Sequence, residues 1–253
     1  MILKVIQVNV FRGKYLDDLI VFLKKQNPDI VIAQEVTGYG ANLYEDNKAD
    51  TFELLRDALG YKAVLDKVNE FSDDEDAFFA NVVFSKYPIT QSEVVSFVDY
   101  RKIKISELGD PEINPLVSRH MIDVVIEIGT EKIHAISVHG VWTAPPTDNE
   151  DTLGQAYKIV EHLRSLGDTP FVMGGDFNMP LGSETINIVS AAVNNLMVDS
   201  GVSGTLNPKV HYLGKNLLID FIFASKHFKK VSLEVPQITV SDHLPVVAEL
   251  ELL

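Results

Sequence analysis

The sequence predicts an α/β (α+β) fold in which two sheets pack face to face with helices on the outside. Short apolar strands alternate with amphipathic helices along the 253 residues, as in layered domains. Each half also repeats one order of elements: strand, polar residue, helix, strand, carboxylate. The four strand ends are Asn9 and Glu35 in the first half, and His139 and Asp176 in the second. Two such units facing each other would bring all four ends to one rim.

The first half begins with the apolar strand LKVIQVNV, followed by a helix that Asn27-Pro28 ends. A second apolar strand, DIVIAQEV, carries Glu35 at its end. The segment ADTFELLRDALG has a capping residue, helical spacing and a terminal Gly60, which together predict a helix. The run AFFANVVFS then predicts a buried strand.

The second half supplies the strands MIDVVIEIG and KIHAISVHG, then a helix, TLGQAYKIVEHLRSLG, closed by Gly167. The strand TPFVMGGDFN and the helix SETINIVSAAV follow. The last strands are LIDFIFAS, KKVSLEV and the pair around SDHLPVVAELEL. Segments 37–50 and 98–118 lack periodicity and are predicted loops. No linker rich in Pro, Gly or Ser interrupts the chain, so we expect a single domain over residues 1–253.

Composition narrows the class of protein. The formal net charge of −14 argues against a general nucleic-acid binder, although it leaves open a site in which metal ions neutralise phosphates. There is no cysteine, which excludes disulfides and thiolate metal sites. No apolar run approaches the roughly 18 residues of a membrane span, and the N-terminus does not resemble a secretory signal. Cytoplasmic residence and a monomer are the default expectations.

Polar residues recur where the apolar strands end. Any one of them alone could be a satisfied structural hydrogen bond, but a buried charge costs several kcal/mol unless it is paired or coordinated. Carboxylates gathered at one rim would repel each other, and a hard divalent cation would relieve that repulsion. Oxygen ligands without thiolates favour Mg²⁺, with Mn²⁺ as a substitute. The candidate residues are Asn9, Glu35, His139, Asp176, Asn178, Asp220, Asp242 and His243.

Seven short motifs occur in the order QVNV, AQEV, NVVFSKYPI, SVHG, GGDFN, LIDFIF and SDHLP. This set resembles the endonuclease/exonuclease/phosphatase superfamily, whose members share the deoxyribonuclease I-like fold. The resemblance spans Asn9 to His243, and GDFN followed by SDH is its specific part. It implies a four-layer α/β/β/α sandwich of two mostly antiparallel sheets.

The resemblance also implies roles on the metal and water side of the site. Glu35 would ligate the metal, with Asn9 and Asp242 beside it directly or through water. Asp176 would orient or deprotonate the attacking water. Asn178 would hydrogen-bond a phosphate oxygen and help to fix Asp176.

On the phosphate side, the resemblance implies that His139 and His243 flank the phosphate and donate hydrogen bonds, or a proton to the leaving group. Asp220 would fix the tautomer of His243 from behind. Asn81 and Arg119 match family positions near the phosphate. Each also has a structural interpretation, as a backbone partner or a structural arginine.

Three functions stay open at this point. The first is a metal-dependent phosphodiesterase or nuclease with a water activated by Asp176. The second is a phosphatase or phospholipase C-like hydrolase of a small or lipid-linked phosphate, such as an inositol phosphate or sphingomyelin. The third is a catalytically silent binding module on the same fold. His139 in SVHGVW makes an apurinic-site repair nuclease the less favoured variety of the first.

Several residues allow two interpretations. The basic cluster Arg101, Lys102 and Lys104 beside Tyr100 is either an arm for a large anionic substrate or a set of solvated charges. Trp142 and Pro145-Pro146 form either a pocket wall or a packed turn. Five histidines away from the strand ends are expected to be structural or exposed: His120, His134, His162, His211 and His227.

Overall fold

The computed structural model describes residues 1–38, 50–98, 102–108, 110 and 112–253. Within them lie two six-stranded mixed sheets and four α-helices. The strands are β1 (Ile2–Asn9), β2 (Ile30–Gly38), β3 (Lys62–Glu70), β4 (Phe78–Ser85), β5 (Ile89–Ser96), β6 (His120–Ile128), β7 (Glu131–His139), β8 (Phe171–Asp176), β9 (Asn194–Asn195), β10 (Asp220–Ala224), β11 (Phe228–Glu234) and β12 (Val246–Leu252). The helices are α1 (Leu16–Gln26), α2 (Thr51–Leu59), α3 (Glu150–Ser165) and α4 (Glu184–Ala192).

The two sheets repeat one topology. Their strand orders are β11-β12-β1-β2-β4-β3 and β5-β6-β7-β8-β10-β9. Each sheet has one parallel pair near its centre, β1 with β2 and β7 with β8, and every other pair is antiparallel. Asn9 pairs with Gln34, and His139 pairs with Asp176. The predicted sandwich and its duplicated architecture are therefore confirmed.

Alternation along the central strands builds the layers. One face of each sheet supplies the core between the sheets, with Val5, Ile32, Val124, Ala135, Val172 and Ile222 among its members. The other face of the first sheet packs on α1 and α2 through residues such as Ile6, Val8, Leu19, Leu23 and Phe52. Full burial of such a side chain stabilises the fold by about 1.5–3 kcal/mol. The packing holds the strand ends rigidly at the rim.

Helix boundaries follow the chemistry of the predicted caps. The Asp50 side chain accepts a hydrogen bond from the Glu53 backbone N–H at the start of α2, and Gly60 ends that helix at φ 68°. Asn27 ends α1 in the left-handed conformation. Among the described residues, no helix has both the length and the apolarity to cross a membrane.

The sequence analysis missed β3 and β5, which lie at sheet edges. The positions of β5 are mostly exposed and those of β3 mostly half-buried, so neither shows the apolar alternation of a buried strand. It also ended the second strand too early, because β2 continues past Glu35 to Gly38. The predicted loop 98–118 contains two short 3₁₀ turns, at Ile105–Glu107 and Asn114–Leu116. Tyr100, Arg101 and residues 39–49 lie outside the described residues.

Candidate active site

A cavity of about 170 Å³ lies where the strand ends meet. Seven of the ten residues that the sequence singles out line it, and they come from both sheets. Glu35 and Asp176 share this cavity, as a common ion between them would require. The seven lining residues are Glu35, Arg119, His139, Asp176, Asn178, Asp242 and His243.

Asp176 is the last residue of β8 and is only 2% exposed. A side chain at Gly175 would place its Cβ 2.1 Å from the Val138 carbonyl oxygen, so only glycine allows β7 and β8 to approach here. The backbone N–H of Asn178 donates to Asp176 Oδ1 at 2.9 Å. The Asn9 side chain donates to Oδ2 at 3.1 Å. Both carboxylate oxygens of Asp176 are therefore fixed.

Burial raises the pKa of Asp176 to about 7; the charge of His243 opposes the rise and that of Asp220 adds to it. A carboxylate with a pKa in this range can take a proton near neutral pH. A surface aspartate, with a pKa near 3.9, is a much weaker base. The environment thus suits Asp176 to activating a water molecule.

Two histidines flank Asp176 from different elements. The Nε2 atoms of His139 and His243 lie 3.9 Å and 3.7 Å from Asp176 Oδ2. Burial lowers the pKa of His139 well below its ordinary value, and the charges of Arg119 and His243 lower it further. Burial also acts to lower the pKa of His243, but Asp220 and Asp176 outweigh it and raise that pKa well above the ordinary value. The site therefore pairs a neutral histidine with a cationic one.

Asp220 stands behind His243 and does not line the cavity. Its Oδ2 lies 2.9 Å from His243 Nδ1, as the resemblance implies. Its Oδ1 accepts a hydrogen bond at 3.0 Å from the Gln7 side chain, which also donates to Gln34 Oε1 at 2.9 Å. Gln34 donates in turn to the Ser137 hydroxyl. This buried polar chain crosses between the sheets and ends on the carboxylate that holds His243.

Glu35 and Asp242 supply the other carboxylates of the cavity. Glu35 lies in an irregularity of the β2–β4 pairing, with its backbone in the left-handed region at φ 58°. Its Oε2 lies 3.7 Å from Arg12 Nε, and its side chain is 21% exposed. Burial raises the pKa of Asp242 to about 6; His243 opposes the rise and Glu35 adds to it. The negative charge of Glu35 thus acts on Asp242, as predicted for carboxylates gathered at one rim.

These carboxylates fit a hard cation. Glu35 and Asp242 bring carboxylate oxygens to the cavity, and Asn9, whose side-chain oxygen accepts from Phe11 N–H at 3.0 Å, lies beside Asp176. Two mixed groups also bring ligand atoms within 4.8 Å of one another: His211, Asp242 and His243, and Asp176, Asp220 and His243. Both depend on His243, whose Nδ1 lies 2.9 Å from Asp220 Oδ2 and whose pKa the neighbouring carboxylates raise.

Arg119 is buried and lines the cavity. Its Nε and Nη1 have no hydrogen-bond partner among the described residues. Burial lowers its pKa, with Glu35 and Asp176 opposing, yet a guanidinium stays charged in proteins. Unmade hydrogen bonds on a buried cation favour binding of an anion.

Asn81 occupies a different place. Its side chain donates to the His120 carbonyl oxygen at 3.0 Å, and its Oδ1 has no partner in the part of the chain that the structure describes. It does not line the cavity, and neither does Asn9. The predicted contact of Asn81 with the phosphate stays a prediction.

His211, for which the sequence predicts a structural or exposed position, lies at the candidate site. His211 lines the cavity, with its ring centroid 5.9 Å from that of His243. Burial lowers its pKa to about 4, and the charge of His243 lowers it further. Because it lies in the irregular segment before β10, no strand end marks it. Trp142 and Pro146 also line the cavity, which favours the pocket-wall interpretation.

The other four histidines make hydrogen bonds away from the cavity. His120 Nδ1 lies 2.9 Å from Asp66, and His227 lies 3.1 Å from Asp168. His134 and His162 both contact Asp123 at 2.8 Å. Their partners are those expected of structural histidines.

The fold and site define a phosphoesterase-type α/β sandwich, and sequence comparison agrees. The family model described as Endonuclease/Exonuclease/phosphatase family matches residues 6–243. The chain belongs to this family, whose members hydrolyse phosphate esters. No curated protein matched the chain.

Solved structures share the fold at low sequence identity. A family protein from Bacteroides vulgatus is 19% identical, with a TM-score of 0.75 and 100% of both chains covered. A mannosyl-6-phosphatase of Bacteroides thetaiotaomicron is 17% identical, with a TM-score of 0.73, covering 98% of this chain and 99% of its own. The catalytic domain of human Nocturnin with bound sulfate is 15% identical, with a TM-score of 0.69 and coverages of 100% and 95%. At these identities the likeness concerns the fold alone.

Proposed function

We propose that the protein is a divalent-metal-dependent phosphoesterase in which Asp176 activates the attacking water. One observation carries the proposal. A buried carboxylate with a raised pKa shares a cavity with Glu35, Asp242 and two histidines of opposite protonation state. Such separated pKa values are typical of acid–base sites.

Different residues of the cavity can take different roles in hydrolysis. Asp176 accepts the proton of the water, while Asn9 and the Asn178 backbone hold its carboxylate in place. Arg119 and cationic His243 donate hydrogen bonds to the non-bridging oxygens of the phosphoryl group, on which negative charge accumulates.

His243 also carries a proton for the leaving-group oxygen, and Asp220 keeps the ring oriented through Nδ1. Neutral His139, on the other side of Asp176, donates a hydrogen bond to an oxygen of the phosphate. Glu35, Asp242 and Asn9 would hold Mg²⁺, or Mn²⁺ in its place. The bound ion would polarise the phosphoryl group and neutralise part of its charge.

A phosphodiester, in a nucleic acid above all, is the first substrate class that we propose. A small or lipid-linked phosphate is the second, and two observations favour it. The cavity of about 170 Å³ is below the roughly 300–1,000 Å³ of sites that enclose a drug-sized ligand. The net charge of −14 also disfavours a long polyanion.

Hydrolysis of two chromogenic esters tests the proposal. Bis-p-nitrophenyl phosphate represents diesters, and p-nitrophenyl phosphate represents monoesters. We expect EDTA to abolish turnover of at least one ester and Mg²⁺ or Mn²⁺ to restore it. The Asp176→Asn variant, purified in the same way, measures any contaminating phosphatase.

The pattern of turnover separates the candidates. Faster hydrolysis of the diester supports the nuclease class, and assays on oligonucleotides would follow. Faster hydrolysis of the monoester supports the small-phosphate class, to be followed with inositol phosphates. Metal-dependent turnover of neither ester would contradict the proposal and favour the binding module.

A further inference from the structure

His211 is a third histidine in the cavity, and the roles proposed above do not use it. It belongs to the segment 207–217, which precedes β10. Its ring meets the His243 ring edge to face, with 81° between the planes. On its other side the Tyr212 ring lies 4.5 Å away, at 35°. The two rings hold the imidazole in one orientation at the cavity wall.

One hydrogen bond fixes the tautomer of His211. The backbone N–H of Leu213 points at Nδ1, 3.2 Å away. A backbone N–H can only donate, so Nδ1 must offer its lone pair and cannot carry a proton. The ring is therefore neutral, with its single proton on Nε2. His211 brings an N–H donor to the cavity.

We propose that His211 contacts the substrate directly, its Nε2–H donating a hydrogen bond to an anionic oxygen of the phosphoester beside His243. This inference rests on the proposed function. A ring nitrogen of His211 lies within 4.8 Å of a ring nitrogen of His243 and of an Asp242 carboxylate oxygen. An oxygen bound by His243 is thus close to His211 as well. The donor adds directionality without adding charge.

The same closeness of His211, Asp242 and His243 could suggest a metal site, and the tautomer argues against it. A ligand nitrogen needs a free lone pair. Nδ1 already receives the Leu213 N–H, and Nε2 carries the proton. Ligation through Nε2 would move the proton to Nδ1, where it would face the Leu213 N–H, donor against donor. His211 therefore serves better as a donor than as a ligand.

Two substitutions separate the donor from the bulk of the ring. His211→Phe keeps a flat ring and removes both nitrogens, whereas His211→Gln keeps an N–H donor near the position of Nε2. A hydrogen bond to a charged group corresponds to roughly 10- to 100-fold in affinity. We expect His211→Phe to weaken binding of inorganic phosphate, and to raise KM, by about tenfold or more. His211→Gln should recover most of the loss.

Nuclear magnetic resonance of the full chain with ¹⁵N-labelled histidine tests the tautomer itself. We expect the His211 signals to show Nε2 protonated and Nδ1 bare. Titration with inorganic phosphate, with Mg²⁺ present, should shift the Nε2–H signal. His227→Gln, at the opposite end of the second sheet, is the matched control and should leave phosphate affinity unchanged.

Several results would overturn the inference. They are a proton on Nδ1, equal phosphate affinity in wild type and His211→Phe, a His211→Gln variant as weak as His211→Phe, or no phosphate binding by the wild-type protein. Failure of the proposed function has a different signature. If neither chromogenic ester is hydrolysed but phosphate still binds through His211, the hydrolytic proposal fails and the contact stands.

Discussion

The two central strand pairs, β1–β2 and β7–β8, share a topology and carry very different carboxylates toward the cavity. Glu35 of β2 has a left-handed backbone and a side chain that is 21% exposed. Asp176 of β8 lies in regular pairing, and its side chain is 3% exposed. Burial separates their chemistry: the half-buried carboxylate suits a cation and the fully buried one suits a proton. The two halves of a duplicated framework can thus supply carboxylates with two functions.

The outer faces of the two sheets, which pack against the helices, also differ in the charge that they bury. Beneath α1 and α2 the first sheet is apolar. Beneath α3 the second sheet carries Asp123, whose carboxylate lies 2.8 Å from both His134 Nδ1 and His162 Nε2. Charge is therefore buried on both faces of the second sheet, and its stability should depend more on pH than that of the first.

Replacing the buried carboxylate should give the largest effect. Asp176→Asn cannot accept the proton of the water, so we expect kcat to fall by about 10² to 10⁴. Inorganic phosphate should bind at least as well, because a negative charge has been removed. Asp168→Asn, an exposed aspartate before the start of β8, should behave as wild type. Near wild-type turnover of Asp176→Asn would refute its role.

Replacing the half-buried carboxylate, Glu35, should act on the metal instead. For Glu35→Gln we expect the Mg²⁺ or Mn²⁺ concentration at half-maximal activity to rise by at least roughly 10- to 100-fold, the range for lost metal-site residues. Activity at saturating metal should exceed that of Asp176→Asn. Glu234→Gln, exposed on β11 of the same sheet, provides the control. An unchanged metal dependence would contradict the assignment of Glu35.

The polar chain between the sheets should couple the two halves. Gln7→Met has a similar length but loses the donor to Asp220, so we expect kcat to fall about tenfold, as for one lost hydrogen bond to a charge. KM should change little. Ser137→Ala breaks the same chain at its other end and costs a comparable free energy of unfolding, about 1–3 kcal/mol. If both variants lose kcat equally, Gln7 acts only through stability.

The buried cluster of Asp123, His134 and His162 should make the stability of the second sheet depend on pH. Burial acts to raise the pKa of Asp123, but hydrogen bonds from His134 and His162 outweigh it and lower that pKa below 3.8. The hydrogen bond to Asp123 raises the pKa of His162 above 6.5, with burial opposing. The depressed acid contributes stability that is lost as pH falls through its folded pKa. The raised base contributes stability that is lost as pH rises through its folded pKa.

Asp123→Asn should therefore lower the free energy of unfolding by about 1–2 kcal/mol between roughly pH 4 and 6.5. The difference from wild type should shrink above that range. Urea denaturation at several pH values measures it. A difference that is constant from pH 4 to 9 would show that the interaction is not between charges.

The smallest effect concerns the backbone at the two carboxylate positions. A left-handed conformation costs a non-glycine residue roughly 1–2 kcal/mol, whereas glycine in a regular strand costs roughly 0.5–1 kcal/mol relative to alanine. Glu35→Gly should therefore be more stable than Glu35→Ala, and Asp176→Gly less stable than Asp176→Ala. The same sign at both positions would contradict the backbone difference between the halves.

The sequence predicted those features that repeat along the chain. Apolar strands with polar ends identified Glu35, His139 and Asp176, because the carboxyl ends of parallel strands in a sandwich meet at one edge. The edge strands β3 and β5 were not predicted, since half-buried and exposed positions carry a weaker apolar pattern than those of a central strand. The irregularity at Glu35 depends on how β2 and β4 pair, and pairing is a property of the folded sheet.

The sequence pattern did not identify two residues that bear on the site, Gln7 and His211, and the reasons are opposite. Gln7 lies in the middle of an apolar strand, and its partner Asp220 is 213 positions away. His211 lies in an irregular segment, where only tertiary packing against His243 brings it to the cavity. Local pattern cannot reveal either one, because their roles depend on contacts between distant segments.

Phe177 sits between Asp176 and Asn178, with its ring 5.5 Å from that of Phe221 and 5.4 Å from that of Phe223. It is fully buried, so it anchors both polar neighbours to the aromatic interior. Looser packing of these rings, caused by heat or by a smaller residue at Phe223, would change the orientation of the Asp176 carboxylate, although neither change is at a residue proposed to bind substrate. Catalytic activity therefore depends on the packing of the Phe177 ring. On heating, activity would be lost at a temperature below the Tm of the protein.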